Sequence, residues 1–506
     1  MLASLYPFIY LSMAGAAVVW YLRQEQPAQA RVAKVVFWIS TLLYFPAVFT
    51  ADGSLLYKFF VVPRDFALLA GASILTNALL KKPKALIVFM VILLAGVRFF
   101  YMDTLKNTFR FNQELAQDAE LMFDIKSHRQ LPRIKEALSP FEAKVERAFP
   151  ALEQESYSEL DDYYMVDIPD SYADQLDEIK EALLATNAVD AIDENEMLTL
   201  SPQEKEEVDM ERKPNEYGLN DPVVDELWGF EKMDMVAFYK KMREGNIKPK
   251  KKARVFILDT GVDGEHEDLS KNYKSVLSRY DRDVLGHGTH CAGIAGAVSN
   301  NGKGIASLSL NNDFVSISSV KVLSDQGRGS QRSIVTGITR AADEGADVIS
   351  MSLGGPSFGR KHKAYEEAFE YARKAGAIVV VAAGNSNDNA KRYVPASCEG
   401  VITVSATNQD MDRASFSNWT TDVSMGIAAP GVDILSTIPG DKYAKLSGTS
   451  MATPQVAGLI GIMKSMNPHL KTEKAYKILK ETGIDTKDTE KTGKFIQPAK
   501  VLDKLK

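Results

Sequence analysis

The chain has 506 residues, a formal net charge of −6, and 45% hydrophobic and 25% charged side chains. This length predicts about two to four domains. The negative charge gives no support for nucleic acid as a partner, so we expect none. Two cysteines, Cys291 and Cys398, are too few for a disulfide-based fold.

Four apolar stretches open the chain, at roughly 5–22, 35–50, 66–80 and 84–102. Each approaches the ~20 residues that a bilayer crossing needs, and Trp and Tyr near their ends are typical of membrane interfaces. We interpret residues 1–110 as an all-α transmembrane domain with four spans, with the lipid bilayer as its partner. A buried, soluble helical bundle is the alternative.

The loops between these stretches differ in positive charge. The first and third loops together carry six Lys and Arg residues, against four in the second loop and the flank after the last stretch. Because cytoplasmic loops carry the excess of Lys and Arg, we expect a multi-pass protein of the cell membrane whose C-terminal part is extracytoplasmic.

Residues 119–200 are predicted to form a separate α+β unit. The pattern alternates strand, helix, strand, strand, helix and strand, which is the ferredoxin-like split βαβ order. The expected elements are 121–126, 131–138, 145–152, 163–168, 172–185 and 189–192. A charged linker, 201–216, follows it, and its composition is typical of an exposed segment.

The last predicted domain, 217–506, alternates short apolar strands with helical patterns. This alternation indicates an α/β fold in which a parallel sheet is covered by helices on both faces. The clearest strands are 254–258, 315–322, 347–350, 378–382 and 401–405.

Three segments of this domain carry candidate catalytic side chains. A buried strand ends at Asp259 in VFILDTG, His287 stands between two glycines in GHGTHCAG, and Ser450 precedes a helix in SGTSMATP. In an open α/β sheet, ligands bind beyond the carboxyl ends of the strands. The fold can therefore bring all three side chains together.

These residue types suit nucleophilic catalysis. A serine hydroxyl needs a base to take its proton as it attacks, and histidine has a pKa near neutrality. A buried carboxylate orients the imidazole. The predicted roles are Asp259 as orienting group, His287 as base and then acid, and Ser450 as nucleophile. Asn385, after a strand in VVVAAGNSN, could donate to an oxyanion together with the Ser450 N–H. Taken singly, each could be a turn or cap residue.

The motifs DTG, HGTHCAG, AAGN and GTSMATP occur together and in this order. With them, residues 220–475 resemble the catalytic domain of the subtilases, and most closely their thermitase-like branch. The resemblance implies a subtilisin-like fold and a serine endopeptidase that acts on proteins or peptides. Two departures are Gln455, where a histidine usually follows MATP, and extra chain near 240–252.

The same resemblance implies substrate-binding residues. Ser352, Leu353 and Gly354 match the segment that pairs with the substrate backbone, and Gly327 and Gly329 match the opposing edge. The wall of the first specificity pocket matches a small apolar set. Its members are Ala382, Ala383 and Gly384. No acidic residue is placed to select a basic side chain, so we expect a large uncharged residue before the cut.

A structural calcium ion is implied as well. The residues that match the family's calcium site supply hard oxygen ligands, as calcium prefers. The side-chain ligands would be Asp221, Asp268 and Asn301, and the carbonyls would come from Val298, Lys303 and Ile305. Ordinary turn residues are the alternative reading.

The unit at 119–200 resembles the inhibitory propeptide of subtilases, so the chain's own propeptide is an expected partner. Its last strand would enter the active-site cleft and end near Leu200, where we expect a self-cleavage. The propeptide, and not the protease, would then be joined to the membrane domain. A catalytically idle protease-like scaffold is the alternative function, and a sensor role of the membrane domain is a third reading.

Overall fold

The computed structural model describes Met13, Ala16 and residues 27–50, 119–200, 205–208, 216–357 and 362–505. The chain divides into two compact units, Met1–Gln113 and Glu114–Lys506. The first unit contains helix α1, Pro27–Thr50. This helix includes the second predicted apolar stretch and begins eight residues before it. Apart from Met13 and Ala16, the other three stretches lie outside the described residues.

Several apolar side chains of α1 are exposed, from Val36 at 42% to Leu42 at 72%. Within the described ranges, none of the helices combines the length and the apolar character that a membrane crossing requires.

Residues 119–200, here called the small domain, form a four-stranded antiparallel sheet with two α-helices. Its strands are β1 Leu121–Ile125, β2 Lys144–Arg147, β3 Tyr163–Asp167 and β4 Val189–Glu194. Its helices are α2 Leu131–Leu138 and α3 Leu176–Ala185. The spatial order is β2-β3-β1-β4, and the elements follow one another along the chain in the predicted order. The core lies between the sheet and the helices, around Phe123, Ile134 and Leu183.

Three details of the small domain differ from the prediction. Strand β2 ends at Arg147, because Pro150 removes a ladder donor from the longer predicted strand. Helix α3 begins at Leu176 after a 3₁₀ segment. Leu184 was expected on the buried face, but it is 57% exposed, since it lies about 100° around the helix from the buried Leu183.

Residues 216–505, here called the large domain, contain a seven-stranded sheet in which every neighbouring pair is parallel. Its strands are β7 Ala253–Asp259, β8 Val315–Lys321, β10 Val348–Met351, β12 Ile378–Ala382, β14 Val401–Thr407, β15 Gly426–Pro430 and β18 Lys494–Phe495. Their order across the sheet is β18-β15-β14-β12-β10-β7-β8. The five strands predicted from sequence are confirmed, with ends that shift by two residues at most.

Helices cover this sheet. They are α4 Trp228–Lys232, α5 Met235–Glu244, α6 His287–Gly296, α7 Gln331–Asp343, α8 Lys363–Lys374, α9 Thr449–Met466, α10 Thr472–Thr482, α11 Thr489–Thr492 and α12 Pro498–Leu505. Helices α6 and α9 are buried on nearly every face, which is typical of helices inside a core. They pack closely because Gly458 of α9 has no side chain. A Cβ at Gly458 would lie only 2.7 Å from the Ala295 carbonyl oxygen of α6.

Smaller sheets lie beside the main one. Strands β16 Ile434–Ile438 and β17 Lys442–Leu446 form a hairpin, and β11 Gly355–Pro356 pairs with β13 Tyr393–Val394. The end of the small domain and the chain just after it add two more strands. β5 Met197–Thr199 pairs with β9 Arg328–Ser330, and β6 Glu206–Glu207 pairs with β17.

Candidate active site

Asp259 and His287 are joined by a short hydrogen bond. Asp259 is the last residue of β7, and His287 is the first residue of α6. His287 Nδ1 lies 2.8 Å from Asp259 Oδ1, and both side chains are buried. Burial lowers the pKa of His287, but the charge and hydrogen bond of Asp259 outweigh it, so the pKa is raised overall. The pair therefore favours a protonated imidazole more than water does.

Asp283 fixes the turn that presents His287. Its carboxylate accepts hydrogen bonds from the Gly286 N–H, the Thr260 hydroxyl, and both the N–H and the hydroxyl of Thr289, at 2.8–2.9 Å. Sequence reasoning missed this residue. The sequence feature that could have indicated Asp283 is an acidic residue three positions before Gly286, at the start of a helix. The free N–H groups there need hydrogen-bond acceptors.

Ser450 lies in the first turn of α9 and is 6% exposed. Its hydroxyl donates to the Ser352 carbonyl at 3.2 Å, and the Ser352 hydroxyl donates back to the Ser450 carbonyl at 2.8 Å. His287 Nε2 is buried and has no hydrogen-bond partner among the described residues. The structure thus brings Ser450 and His287 to one cavity, and their side chains are not hydrogen-bonded to each other.

Asn385 is held by Thr449, the neighbour of Ser450. Its Oδ1 accepts hydrogen bonds from the Thr449 N–H and hydroxyl, each at 2.9 Å. No described residue accepts a hydrogen bond from its Nδ2. The two contacts fix the plane of the amide, so its NH₂ group is left as a donor at the cavity that Asn385 and Ser450 both line.

A cavity of about 500 Å³ is lined by His287, Asn385, Thr449 and Ser450. Of the predicted substrate residues, Ser352, Leu353, Gly354, Ala382 and Gly384 line it. Ala383 does not line it. That side chain packs instead with Ala390 and Ala396 in a small apolar cluster, because successive side chains of an extended segment alternate in direction.

The comparisons with known proteins agree with this geometry. The model of the subtilase family matches residues 250–498. Thermitase from Thermoactinomyces vulgaris is 44% identical over 218 residues, which cover 42% of this chain and 75% of that protein. Subtilisin DY from Bacillus licheniformis is 38% identical over 248 residues, covering 48% and 87%. The chain belongs to the subtilase family. It is a subtilisin-like serine endopeptidase.

A solved structure described as proteases from Pseudoalteromonas arctica is 28% identical, with a TM-score of 0.50. The alignment covers 57% of this subtilase and 99% of that chain. The family model begins at residue 250, so its match does not extend to the small domain or the first unit.

In this subtilase, the C-terminal segment of the small domain lines the cavity. Strand β5 is antiparallel to β9, with Leu198 opposite Gly329. The Leu200 N–H donates to the Gly327 carbonyl at 2.9 Å. Residues 196–200 line the cavity together with His287 and Ser450. Gly327 and Gly329, the edge predicted to bind substrate, therefore pair with residues 197–200 of the protein's own chain.

The small domain also contacts the N-terminal ends of two helices of the large domain. The Ala364 N–H, in the first turn of α8, donates to the Asp193 carboxylate at 3.1 Å. The Arg332 N–H, in the first turn of α7, donates to Asn195 Oδ1 at 3.0 Å. Acidic and polar side chains are favourable at helix N-termini. These long-range contacts could not be read from the sequence.

Lys363 adds an ionic contact to this interface. Its ammonium lies 2.5 Å from Asp124 and 3.0 Å from Glu159, both in the small domain. Asp193 is 4% exposed, and burial, opposed by the hydrogen bonds from α8, raises its pKa to about 6. The interface therefore contains a carboxyl group, that of Asp193, whose ionised form is destabilised by burial.

The residues predicted to bind calcium lie together. Asp221 accepts the N–H groups of Asn300 and Asn301 at 2.7 and 3.0 Å. Asp268 accepts the Ile305 N–H at 2.8 Å and the Asn301 amide at 2.7 Å, and its own carbonyl accepts the Val298 N–H at 2.8 Å.

Both carboxylates of this cluster are fully buried. Burial raises the pKa of Asp268 to about 8 and that of Asp221 to about 6. The nearby Lys303 ammonium pairs with Glu267 instead, at 2.7 Å. Among the described residues, neither carboxylate has a basic partner. Two such buried anions are costly unless a cation joins them, so the residues fit a divalent cation that prefers oxygen ligands.

Proposed function

We propose that this subtilase is a membrane-anchored endopeptidase made as a self-inhibited zymogen, with Asp259, His287 and Ser450 as its triad. The observation that carries the proposal is the cavity that Ser450, His287 and residues 196–200 line together, with Asp259 hydrogen-bonded to His287.

The proposed reaction begins when the Ser450 hydroxyl turns from the Ser352 carbonyl towards His287 Nε2. Oγ attacks the peptide carbonyl as His287 takes its proton, and Asp259 stabilises the imidazolium. The oxyanion accepts from Asn385 Nδ2 and the Ser450 N–H. His287 then protonates the leaving amine, which leaves an acyl-enzyme. Water hydrolyses this ester with His287 again as the base.

We propose that the substrate binds as an added strand beside Gly327 and Gly329, as residues 197–200 do in this structure. Of the described residues of the large domain, those that line the cavity include no acidic side chain. This composition supports a preference for an uncharged residue before the scissile bond.

The small domain is proposed to be the inhibitory propeptide. Its C-terminal segment lines the cleft, and contacts of Asp193, Asn195 and Lys363 fix the small domain on α7 and α8. A segment so held excludes other chains until it is cut near Leu200. Once cut, it still pairs with β9, so release requires loss of the interface as well.

Calcium is proposed as a structural ion bound by Asp221, Asp268 and Asn301, with carbonyl oxygens of Val298, Lys303 and Ile305. When bound, it would supply the positive charge that the two buried carboxylates lack. Its effect would be on the stability of the large domain, because the cluster is not part of the cavity.

Membrane attachment is proposed from the four apolar stretches and from the exposed apolar side chains of α1. Cleavage near Leu200 would separate residues 1–200 from the protease. The proposal expects the processed protease in the soluble fraction of washed membranes once the small domain is degraded. Retention of the protease there would contradict this release.

A fluorophosphonate probe tests the function against that of an idle scaffold. The probe should label the processed protein on Ser450, and labelling should disappear in Ser450→Ala and in His287→Ala. Ser386→Ala, which changes another serine of the same cavity, is the matched control and should label normally. An intact cavity that never labels would favour the scaffold.

A further inference from the structure

A second stretch of the chain binds beside the catalytic residues, after the part that lies in the cavity. Strand β6 is antiparallel to the outer edge of β17, with Glu207 opposite Ala444 and Glu206 opposite Lys445. The Val208 N–H continues the ladder to the Tyr443 carbonyl at 3.2 Å, and Val208 packs against the core of the large domain. Residues 205–208 are called the downstream strand below.

The downstream strand begins close to the turn that precedes His287. The Lys205 ammonium donates to the Leu285 carbonyl. It also lies against Gly286, because a Cβ added at Gly286 would be 3.1 Å from Lys205 Nζ. Leu200 and Lys205 are five residues apart, so a fully extended chain can separate them by at most about 18 Å. The two described pieces therefore belong to one path that enters on the β9 side and leaves along β17.

One ion pair distinguishes this second contact from simple backbone pairing. Lys442 Nζ lies 3.0 and 3.2 Å from the two carboxylate oxygens of Glu207. Glu206 is the adjacent residue, and its side chain points to the opposite face of the strand. The basic side chain on its register partner, Lys445, is engaged by Glu226 at 3.2 Å. Of the two adjacent glutamates, Glu207 is therefore the one that pairs with a lysine of β17.

We propose that the outer edge of β17, with Lys442, binds the substrate chain on the leaving-group side of the scissile bond and selects an acidic residue there. The proposal rests on the proposed protease function. In the zymogen the chain's own downstream strand occupies this edge. A protein substrate would replace it with an extended segment that places Glu or Asp beside Lys442, seven positions after the residue that takes the place of Leu200.

Hydrogen exchange tests the binding edge without catalysis. In full-length Ser450→Ala protein, Glu207→Lys and Lys442→Glu each place like charges together, and each should lower the protection of the Val208 amide about three- to tenfold. The double exchange, Glu207→Lys with Lys442→Glu, should restore protection to within about twofold. Glu206→Lys, the matched control, should change it less than twofold. Equal effects of Glu206→Lys and Glu207→Lys, or no recovery in the double variant, would overturn the proposal.

Cleavage of peptides in trans tests the substrate role. Two synthetic peptides spanning residues 196–210, with Glu or Lys at position 207, are compared with the processed enzyme. The Glu peptide should be cut about three- to tenfold faster at equal low concentration, and Lys442→Glu should reverse the preference. Equal rates would overturn the proposal. Absence of any cleavage, together with no labelling of Ser450, would instead overturn the protease function, while the exchange experiment would still report on the edge.

Discussion

The Leu200 N–H donates a hydrogen bond to the Gly327 carbonyl at 2.9 Å, and this bond holds the end of the small domain's tail in the cleft. Two residues earlier, Leu198 is paired with Gly329 and is 5% exposed. The same backbone groups that would align a substrate are therefore used by the protein's own chain. If the small domain is the propeptide that we propose, inhibition and self-cleavage are two outcomes of one binding mode.

The size of the pocket that holds Leu198 is predicted to depend on the absence of a side chain at Gly355. A Cβ at Gly355 would lie 2.7 Å from Leu198 Cδ2. Gly355→Ala should therefore disfavour a leucine at that substrate position by about 1–2 kcal/mol, because overpacking forces side chains from their preferred positions. The measurement is the ratio of kcat/KM for matched peptides with Leu or Ala at this position. An unchanged ratio would mean that Leu198 does not report on substrate binding.

Asn385 is predicted to act on the transition state. Asn385→Leu removes the amide that Thr449 orients, and kcat should fall about 100- to 1,000-fold with little change in KM. That magnitude was measured in subtilisin, a member of the same family, and is carried over rather than calculated from this geometry. Asn389→Ala, on the same loop but outside the cavity, should leave kcat within about twofold. A large rise in KM without loss of kcat would assign Asn385 to substrate binding instead.

Most residues of the candidate active site could be predicted from the sequence because its parts are local. Asp259, His287 and Ser450 each stand in a short motif at a strand end or helix start, and a parallel sheet brings such ends to one edge. The hydroxyl direction of Ser450 was not predictable, since it depends on the Ser352 carbonyl, 98 positions away.

Contacts between domains were the least predictable part. Nothing in the local pattern of Asp193 indicated that it would meet the first turn of α8, and β5 and β6 are too short to have a periodicity of their own. In the small domain, the error at Leu184 came from extending an apolar face by one residue. That residue is exposed because adjacent helical positions point about 100° apart.

The buried carboxyl of Asp193 predicts a pH dependence of stability. Its pKa in the folded chain is about 6, against an ordinary value of 3.8. The folded state therefore binds this proton more tightly than the unfolded state does, and the contribution of Asp193 to stability is lost as pH rises from about 4 to about 6. Asp193→Asn keeps an oxygen for the Ala364 N–H but carries no charge.

The expected result is measured as Tm in full-length Ser450→Ala protein. Asp193→Asn should raise the free energy of unfolding by about 1–3 kcal/mol at pH 8, which corresponds to roughly 2–8 °C, and should have no effect near pH 4. Asp190→Asn, which changes an exposed carboxyl on the same strand, is the control and should not alter the pH profile. A lower Tm for Asp193→Asn at pH 8 would show that the charge stabilises the interface.

Calcium is predicted to stabilise the large domain through Asp268. Adding calcium at about 100 times its dissociation constant should stabilise the folded protein by about 2.7 kcal/mol, and chelation should reverse the rise in Tm. Asp268→Asn should abolish the calcium-dependent shift. Glu267→Gln, which changes the neighbouring carboxylate that pairs with Lys303, should retain it. An equal calcium shift in Asp268→Asn would place the ion elsewhere.

The central claim is that this subtilase cuts its own chain at the end of the small domain with Ser450. Intact mass and N-terminal sequencing of purified full-length protein, beside Ser450→Ala, tests it most directly. The account predicts a fragment that begins close to Ser201 in the wild type and an uncut chain in Ser450→Ala. If both proteins stay whole, or if both are cut at the same place, Ser450 does not process the chain, and the claim is contradicted.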